Sequence, residues 1–267
     1  MTYYSFDNTL DGLLTAVFDA FARREQPEAL LKEGDQMPLF GDEVHAVQSD
    51  TEKAGRVWAG LEKRLSKEAV KVVAVSWLSE LPELNGPLFR YICKVFQQPE
   101  NSGKAYSHNF ADPDVLAVTN IARKVMHERL RMMQFVRFQK AKDGTYLAVV
   151  APDHNVLPLV TDHFADRFND QPWLIYDAKR HYGYYYDGSG QPVRITFADE
   201  SSVAFNLANG RLNDDVLSDE DQLLQEMWRT YFKAICIKER LNPRKQLNDM
   251  PRRYWKYMTE KQSHRNK

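Results

Sequence analysis

The sequence predicts an α+β protein with a helical N-terminal half, a central, mostly antiparallel sheet carrying one inserted helix, and helices at the C-terminal end. Three observations carry this. Apolar residues recur every three or four positions from Leu10 to Met133; the period shortens to two from Phe135 onward, with Asp143-Gly144 as a turn; and the longer period returns after Ser218. No repeat, low-complexity run or linker interrupts the chain. It therefore reads as one domain over 1–267, with a helical part at 1–134, a β-rich part at 135–198 and helices at 216–260.

Asp7 or Thr9 is placed to cap a first helix in which Leu10, Leu13, Leu14, Val17, Phe18 and Phe21 form one stripe. A loop containing Pro38, Gly41 and Asp42 follows. Asp50 or Thr51 begins a second helix with Val57, Trp58, Leu61 and Leu65 inward, and Ser66 caps a third with Val70, Val73, Ala74, Trp77, Leu78 and Leu81 inside. Leu84 to Phe96 is a short helix. Asp114 to Met133, free of Pro and Gly, is the longest of this half.

In the β-rich part, 135–142 and 145–151 read as a hairpin about Asp143-Gly144. Asn155 is placed to cap a helix running to about Phe168, with Pro158 in its first turn. Trp173–Asp177, Tyr182–Tyr186 and Val193–Phe197 read as further strands. Ser218 then caps a last long helix with Leu223, Leu224, Met227, Trp228, Tyr231, Phe232 and Ile235 inward, running to about Leu241 and ended by Asn242-Pro243.

Composition limits the classes of function. The chain has 267 residues, 43 % of them hydrophobic, enough for a substantial core. It has no run of eighteen apolar residues, and Met1 to Asp7 lacks a basic segment followed by an apolar one, so no membrane association and a cytoplasmic location are expected. Cys93 and Cys236 both sit in apolar helical stretches, where buried free thiols are usual; they build neither a disulfide framework nor a cysteine metal site. There is no Walker loop, dinucleotide fingerprint, Gly-x-Ser-x-Gly elbow or His-Glu-x-x-His, so no cofactor or metal is expected.

A net charge of −1 conceals strong local asymmetry. From Asp199 to Glu226 there are eight acids against one base, whereas from Arg229 to Lys267 twelve Lys or Arg face three acids, a local excess of +9. Aromatic residues interleave with the cations in Arg252-Arg253-Tyr254-Trp255-Lys256. Such a segment is suited to neutralising phosphates and stacking on bases, and equally to an amphipathic helix with a solvated face. Arg180 and Tyr184 belong to a second cation and tyrosine stripe, Tyr182-Gly183-Tyr184-Tyr185-Tyr186, which suits base stacking or ordinary cross-strand packing. Arg137 continues the charged run Arg123 to Arg131.

The most enzyme-like segment holds two Asp-His pairs, Asp153-His154 and Asp162-His163. Carboxylate and imidazole are the groups of general acid–base chemistry. If both histidines were helical, their nine-residue spacing would put them about 13 Å apart along the axis, too far to share a metal. Asp153 and Asn155 also suit capping roles, and His163 a place at the core edge.

Several of these segments together resemble a family. Phe6-Asp7-Asn8-Thr9-Leu10 with Gly12-Leu13-Leu14-Thr15-Ala16-Val17-Phe18, Phe135-Val136-Arg137-Phe138, Pro152-Asp153-His154-Asn155-Val156-Leu157-Pro158-Leu159, and Lys238-Glu239-Arg240-Leu241-Asn242-Pro243 through Met250-Pro251-Arg252-Arg253-Tyr254-Trp255-Lys256 look like the bacterial "probable DNA metabolism protein" family over nearly the full chain. Members are typically encoded beside a DNA-repair radical SAM protein, and a similar domain occurs fused to a uracil-DNA-glycosylase domain. The resemblance implies a partner in DNA repair or modification and supplies no catalytic residues. The chain itself lacks the three-cysteine cluster of a radical SAM enzyme.

Three functional expectations follow. In the first, the chain is a DNA-binding component acting with the radical SAM protein; Arg252, Arg253 and Lys256, with Arg137 and Arg180, meet phosphates, and Tyr254, Trp255 or Tyr184 stacks on bases of single-stranded or damaged DNA. In the second, it is an enzyme acting on a nucleobase or the DNA backbone, with Asp153 or His154 as acid–base group and Arg180 or Arg137 stabilising an anion. In the third, it is a docking subunit whose basic end binds the partner protein without touching DNA.

Overall fold

The computed structural model describes residues 2–32, 34–35, 43–99, 102–197, 205–234 and 242–261, apart from the side chains of Phe232 and Lys233. The expected loop at Pro38, Gly41 and Asp42, the continuation of the last long helix to Leu241, and Cys236 lie outside the described residues. The fold is mixed α and β, with helices toward both ends and a central mixed sheet. It divides into two compact units, residues 1–126 and 127–267.

In the first unit, Thr9 caps α1 (Leu10–Arg23) by accepting the Gly12 N–H at 2.9 Å. Asp50 caps α2 (Thr51–Arg64) by accepting the N–H groups of Glu52 and Lys53, and Ser66 caps α3 (Lys67–Trp77). Then come α4 (Asn85–Gln97), α5 (Gly103–Tyr106) and the start of α6 (Pro113–Phe135). Leu13, Val17, Leu61, Val73, Leu88, Ile92 and Val118 interlock as fully buried side chains.

One part of this unit departs from the helical expectation. β1 (Thr2–Phe6) pairs in parallel with both β2 (Ala29–Lys32) and β3 (Glu43–Ala46), making a three-stranded sheet with β1 at its centre. Parallel neighbours need a crossover, and α1 supplies the one between β1 and β2. Tyr4 and Phe6 turn into the core.

The second unit is built on a five-stranded sheet in the order β4-β5-β6-β7-β8, formed by Gln139–Lys140, Tyr146–Val150, Trp173–Asp177, Tyr182–Tyr186 and Val193–Ile195. Three of its pairings are antiparallel; β5 and β6 run parallel, in register from Tyr146↔Trp173 to Val150↔Asp177. The hairpin about Asp143-Gly144 forms, but its first strand is short because α6 continues through Phe135. The connection from β5 to β6 holds a 3-10 turn (Leu157–Leu159) and α7 (Thr161–Arg167). Asn155 does not cap this helix: its side-chain oxygen accepts the Tyr182 hydroxyl, and α7 begins without a side-chain cap.

Ser218 caps α8 (Asp219–Ala234) through the Asp221 N–H at 3.1 Å. The apolar face of α8 was expected inside, yet Leu223, Leu224, Met227, Trp228 and Tyr231 are 60 %, 58 %, 59 %, 42 % and 54 % exposed. Helical spacing determines which face is apolar; it does not determine what covers that face. The chain continues through α9 (Pro243–Asp249), capped by Asn242, to α10 (Arg252–Trp255). Among the described residues no helix is long and apolar enough to cross a membrane.

Candidate functional site

Because β5 and β6 are parallel and in register, their carboxyl ends finish side by side, and the loops that follow them, 151–156 and 178–181, emerge together. In open sheets this is where ligand sites tend to be built. The loop after β6 is organised by Asp177, whose buried carboxylate accepts the N–H groups of Lys179 and Arg180, at 2.9 and 3.3 Å, and the Arg180 guanidinium at 2.9 Å. His181 takes a left-handed backbone conformation, φ 55°, to re-enter β7. Burial pushes the Asp177 carboxyl up, and the opposing pull of Arg180 does not fully offset it.

Arg180 reaches across to the neighbouring loop, donating to the carbonyls of Pro152 (3.1 Å) and Asp153 (2.9 Å), and the Lys179 ammonium joins it on the Asp153 carbonyl. From the other side, the Glu128 carboxylate of α6 accepts the N–H groups of Asp153 (3.0 Å) and His154 (2.7 Å). Both faces of the peptide run at 152–154 are thus bound by fixed charges. Glu128 is 1 % exposed, so it depends on these partners for the hydrogen bonds that water would otherwise supply.

The C-terminal segment completes the network. Tyr254, itself buried, donates its hydroxyl to Glu128 Oε1 at 2.6 Å and accepts from Arg253, which also donates to Glu128 and pairs with the Asp153 carboxylate at 3.0 Å. Burial pushes the Glu128 carboxyl up. The Tyr254 hydroxyl, the two loop N–H groups and the His154 imidazole outweigh it and hold the carboxyl below its ordinary range. Burial also works against the Arg253 charge, but Tyr254, Asp153 and Glu128 raise its pKa overall.

Five residues singled out from the sequence therefore meet here: Asp153, His154, Arg180, Arg253 and Tyr254. Two that organise them were missed as site residues, Glu128 and Asp177. Glu128 carried a legible signal, since Val125, Glu128 and Met132 fall at helical spacing on the buried line of α6, and an acid there needs buried partners. The other candidates lie elsewhere. Arg137 closes the end of α6, bonding the carbonyls of Gln134 and Val136 and pairing with Glu260 at 2.8 Å. Tyr184 is half-buried in β7, opposite Ile175 on one side and Arg194 on the other, with its ring edge-on to buried Tyr182.

Arg252 and Lys256 are exposed on either side of half-buried Trp255, whose indole N–H donates to the Met250 carbonyl at 3.0 Å. The Arg252 guanidinium and the Lys261 ammonium lie over the Trp255 ring, at 5.9 and 4.7 Å from its centre. Arg244 and Lys245 are exposed on α9; Lys245 pairs loosely with Asp249, and Arg131 of α6 reaches the Asn248 carbonyl.

Chemically, the clamped loop offers an ordered surface bearing the half-exposed Asp153 carboxylate, the Arg253 guanidinium and the His154 imidazole. Its N–H groups at 153 and 154 are committed to Glu128 and are not donors for a bound anion. Among the described residues no three His, Cys, Asp or Glu side chains gather as metal ligands would.

No curated protein and no solved structure matches the chain. A family model, the domain of unknown function DUF4130, matches residues 82–260, which take in the clamp from Glu128 to Tyr254 and the whole second sheet. The chain belongs to the DUF4130 family.

Proposed function

We propose that this protein is a DNA-binding component of a repair or modification system and that it acts with a radical SAM partner. One observation carries the binding role: Arg252 and Lys256 are exposed on either side of half-buried Trp255 at α10, and Arg244 is exposed on α9. Cations next to an aromatic face are the combination that single-stranded nucleic acid engages. Arg137, Arg180 and Arg253 are engaged with Glu260, Asp177, Glu128 and Asp153 inside the unit, so in this reading they hold the fold and the phosphate contacts narrow to α9 and α10. Tyr254 anchors the segment and Trp255 does the stacking. Asp153, paired with Arg253, is in the same way a member of the clamp and not an acid–base group. The choice of DNA, and of the partner, rests on the resemblance of the opening, Asp-His-Asn and Met-Pro-x-Arg-Tyr-Trp segments.

Binding to a fluorescent single-stranded oligonucleotide, followed by anisotropy across a salt series, tests this. Affinity is expected to fall by about 0.7 log units per log unit of salt for each phosphate contact, and replacing Arg244, Arg252 and Lys256 together by Gln should reduce the slope by about 2. A salt-independent affinity, or a slope the triple variant leaves unchanged, would sink the proposal.

The exposed face of α8 favours a second role beside the first, docking of the partner protein. Five large apolar side chains on one helix face, with Trp228 and Tyr231 stacked at 5.6 Å, form the kind of aromatic-centred patch that protein interfaces use.

A further inference from the structure

Just beyond the carboxyl end of β1, the first unit holds a cavity of about 250 Å³. Asn8 lines it from the strand, Trp77, Glu80 and Leu81 from the end of α3, and Asn85 from the start of α4. β1 is the central strand of a parallel sheet, with β2 on one side and β3 on the other, and ligands gather outside the carboxyl ends of such strands where the strand order reverses. Of the four non-glycine residues with left-handed backbone among the described residues, two line this cavity, Asn8 (φ 59°) and Glu80 (φ 55°). Asparagine takes that conformation readily, whereas for glutamate it is strained, and glycine is the residue that usually takes it where a helix ends. Strain of this kind collects at ligand sites.

Asn85 is 7 % exposed and donates a side-chain N–H to the Asn8 oxygen at 3.1 Å. Its own carboxamide oxygen accepts no hydrogen bond among the described residues and is not sealed from water, so it is open to a donor in the cavity that it lines. The charge of the walls selects what that donor belongs to. Among the described residues, Glu80 is the one charged side chain in the lining, and exposed Asp7 and Glu83 stand beside lining residues. The Arg90 guanidinium, close to Gly86, is bound to Asp114 at 2.7 Å. The start of α4 offers an anion little, because the Asn85 N–H is taken by the Pro82 carbonyl and Pro87 has none. Half-buried Trp77 and Leu81 supply apolar walls for a carbon chain, and an indole also favours a cation. A dry cavity of about 150 Å³ in an engineered protein holds benzene, so the space here has room for about ten heavy atoms.

We propose that this cavity binds a small organic cation, an aliphatic guanidine or amine of about ten heavy atoms. Its carbon chain lies against Trp77 and Leu81, and its charged N–H groups donate to the Glu80 carboxylate and to Asn85 Oδ1. Apolar walls with a few placed polar groups are how proteins hold small molecules, and a hydrogen bond between charged partners is the strong kind. Every residue of the site belongs to the first unit and none to α9 or α10, so it stands or falls independently of the phosphate surface proposed above.

Calorimetric titration of the full chain with butylguanidine, and with butylurea as its neutral counterpart, tests it. Butylguanidine should bind saturably, and butylurea at least about tenfold more weakly. Glu80→Gln should weaken butylguanidine about tenfold, the worth of a hydrogen bond to a charged group, whereas Glu83→Gln, at an exposed neighbour outside the lining, should change its affinity by no more than about twofold. Glu80→Gly removes the carboxylate and relieves the left-handed backbone, so binding should be lost while the melting temperature stays or rises, a loss that unfolding does not explain. Absence of saturable butylguanidine binding, butylurea binding as tightly, or Glu80→Gln and Glu83→Gln weakening it equally would overturn the proposal. The oligonucleotide salt series reads α9 and α10 and does not read Glu80, so failure of the cavity and failure of the phosphate surface are told apart.

Discussion

Glu128 shows how one side chain controls a loop it is far from in sequence. Its folded pKa lies below the unfolded one, so its contribution to stability is complete above the ordinary carboxyl value of 4.5 and is lost as pH falls through the lower folded value. Asp177 works in the opposite sense: its pKa is raised, so acid relieves an unfavourable burial. The Glu128 term is therefore read as a difference between proteins. Glu128→Gln should cost about 1.5–3 kcal/mol at pH 7, from hydrogen bonds to a charged group, and the difference from wild type should shrink as the pH is taken below 4.5. Urea midpoints at several pH values check this, and a difference that does not change with pH would separate Glu128 from the acid response. At this scale the sequence singles out Asp153 and His154, Arg180, and Arg253 and Tyr254 in three separate segments, because charged and aromatic residues next to Pro and Gly are legible locally, and the structure brings the three segments together. The sequence was silent about their partners. Glu128 lies 125 residues before Arg253, and no local pattern encodes that distance.

Among the elements, most caps and helical periods were read correctly because their signal is short-range, whereas the cap expected of Asn155 fails because its side chain is taken by the Tyr182 hydroxyl. Thr9, Asp50, Ser66 and Ser218 each cap the helix expected of them. The N-terminal parallel sheet was not foreseen, since Ala29–Lys32 and Glu43–Ala46 are four residues each, too short to display a period, and their partner strand is tens of residues away. The expected β7 strand hides a constraint at Gly183. A Cβ there would lie 2.6 Å from the Ile175 carbonyl of β6, so Gly183→Ala should destabilise by about 1–3 kcal/mol in a denaturation experiment. α8 behaves in the reverse way. Leu224→Gln and Met227→Gln replace exposed side chains and should each change stability by no more than about 0.5 kcal/mol, while weakening any partner seated on that face. A large loss of stability would mean that the face is packed after all.

For the whole molecule, charge is partitioned between the two units. Residues 1–126 carry 14 Lys and Arg against 18 Asp and Glu, net −4, and residues 127–267 carry 22 against 19, net +3. The near-neutral total is thus the sum of an acidic and a basic part, and attraction to a polyanion belongs to the second, where the cations of α9 and α10 lie. The clamp gives that unit a temporal order as well. Arg253 and Tyr254 follow Glu128 by 125 and 126 residues, which at a synthesis rate of about 5–20 residues per second is on the order of ten seconds. Throughout that interval the nascent chain holds Glu128 without two of its neutralising partners. A polypeptide released before Arg253 and Tyr254 are made would leave that buried carboxylate with the Asp153 and His154 N–H groups alone, and so with less to offset its burial.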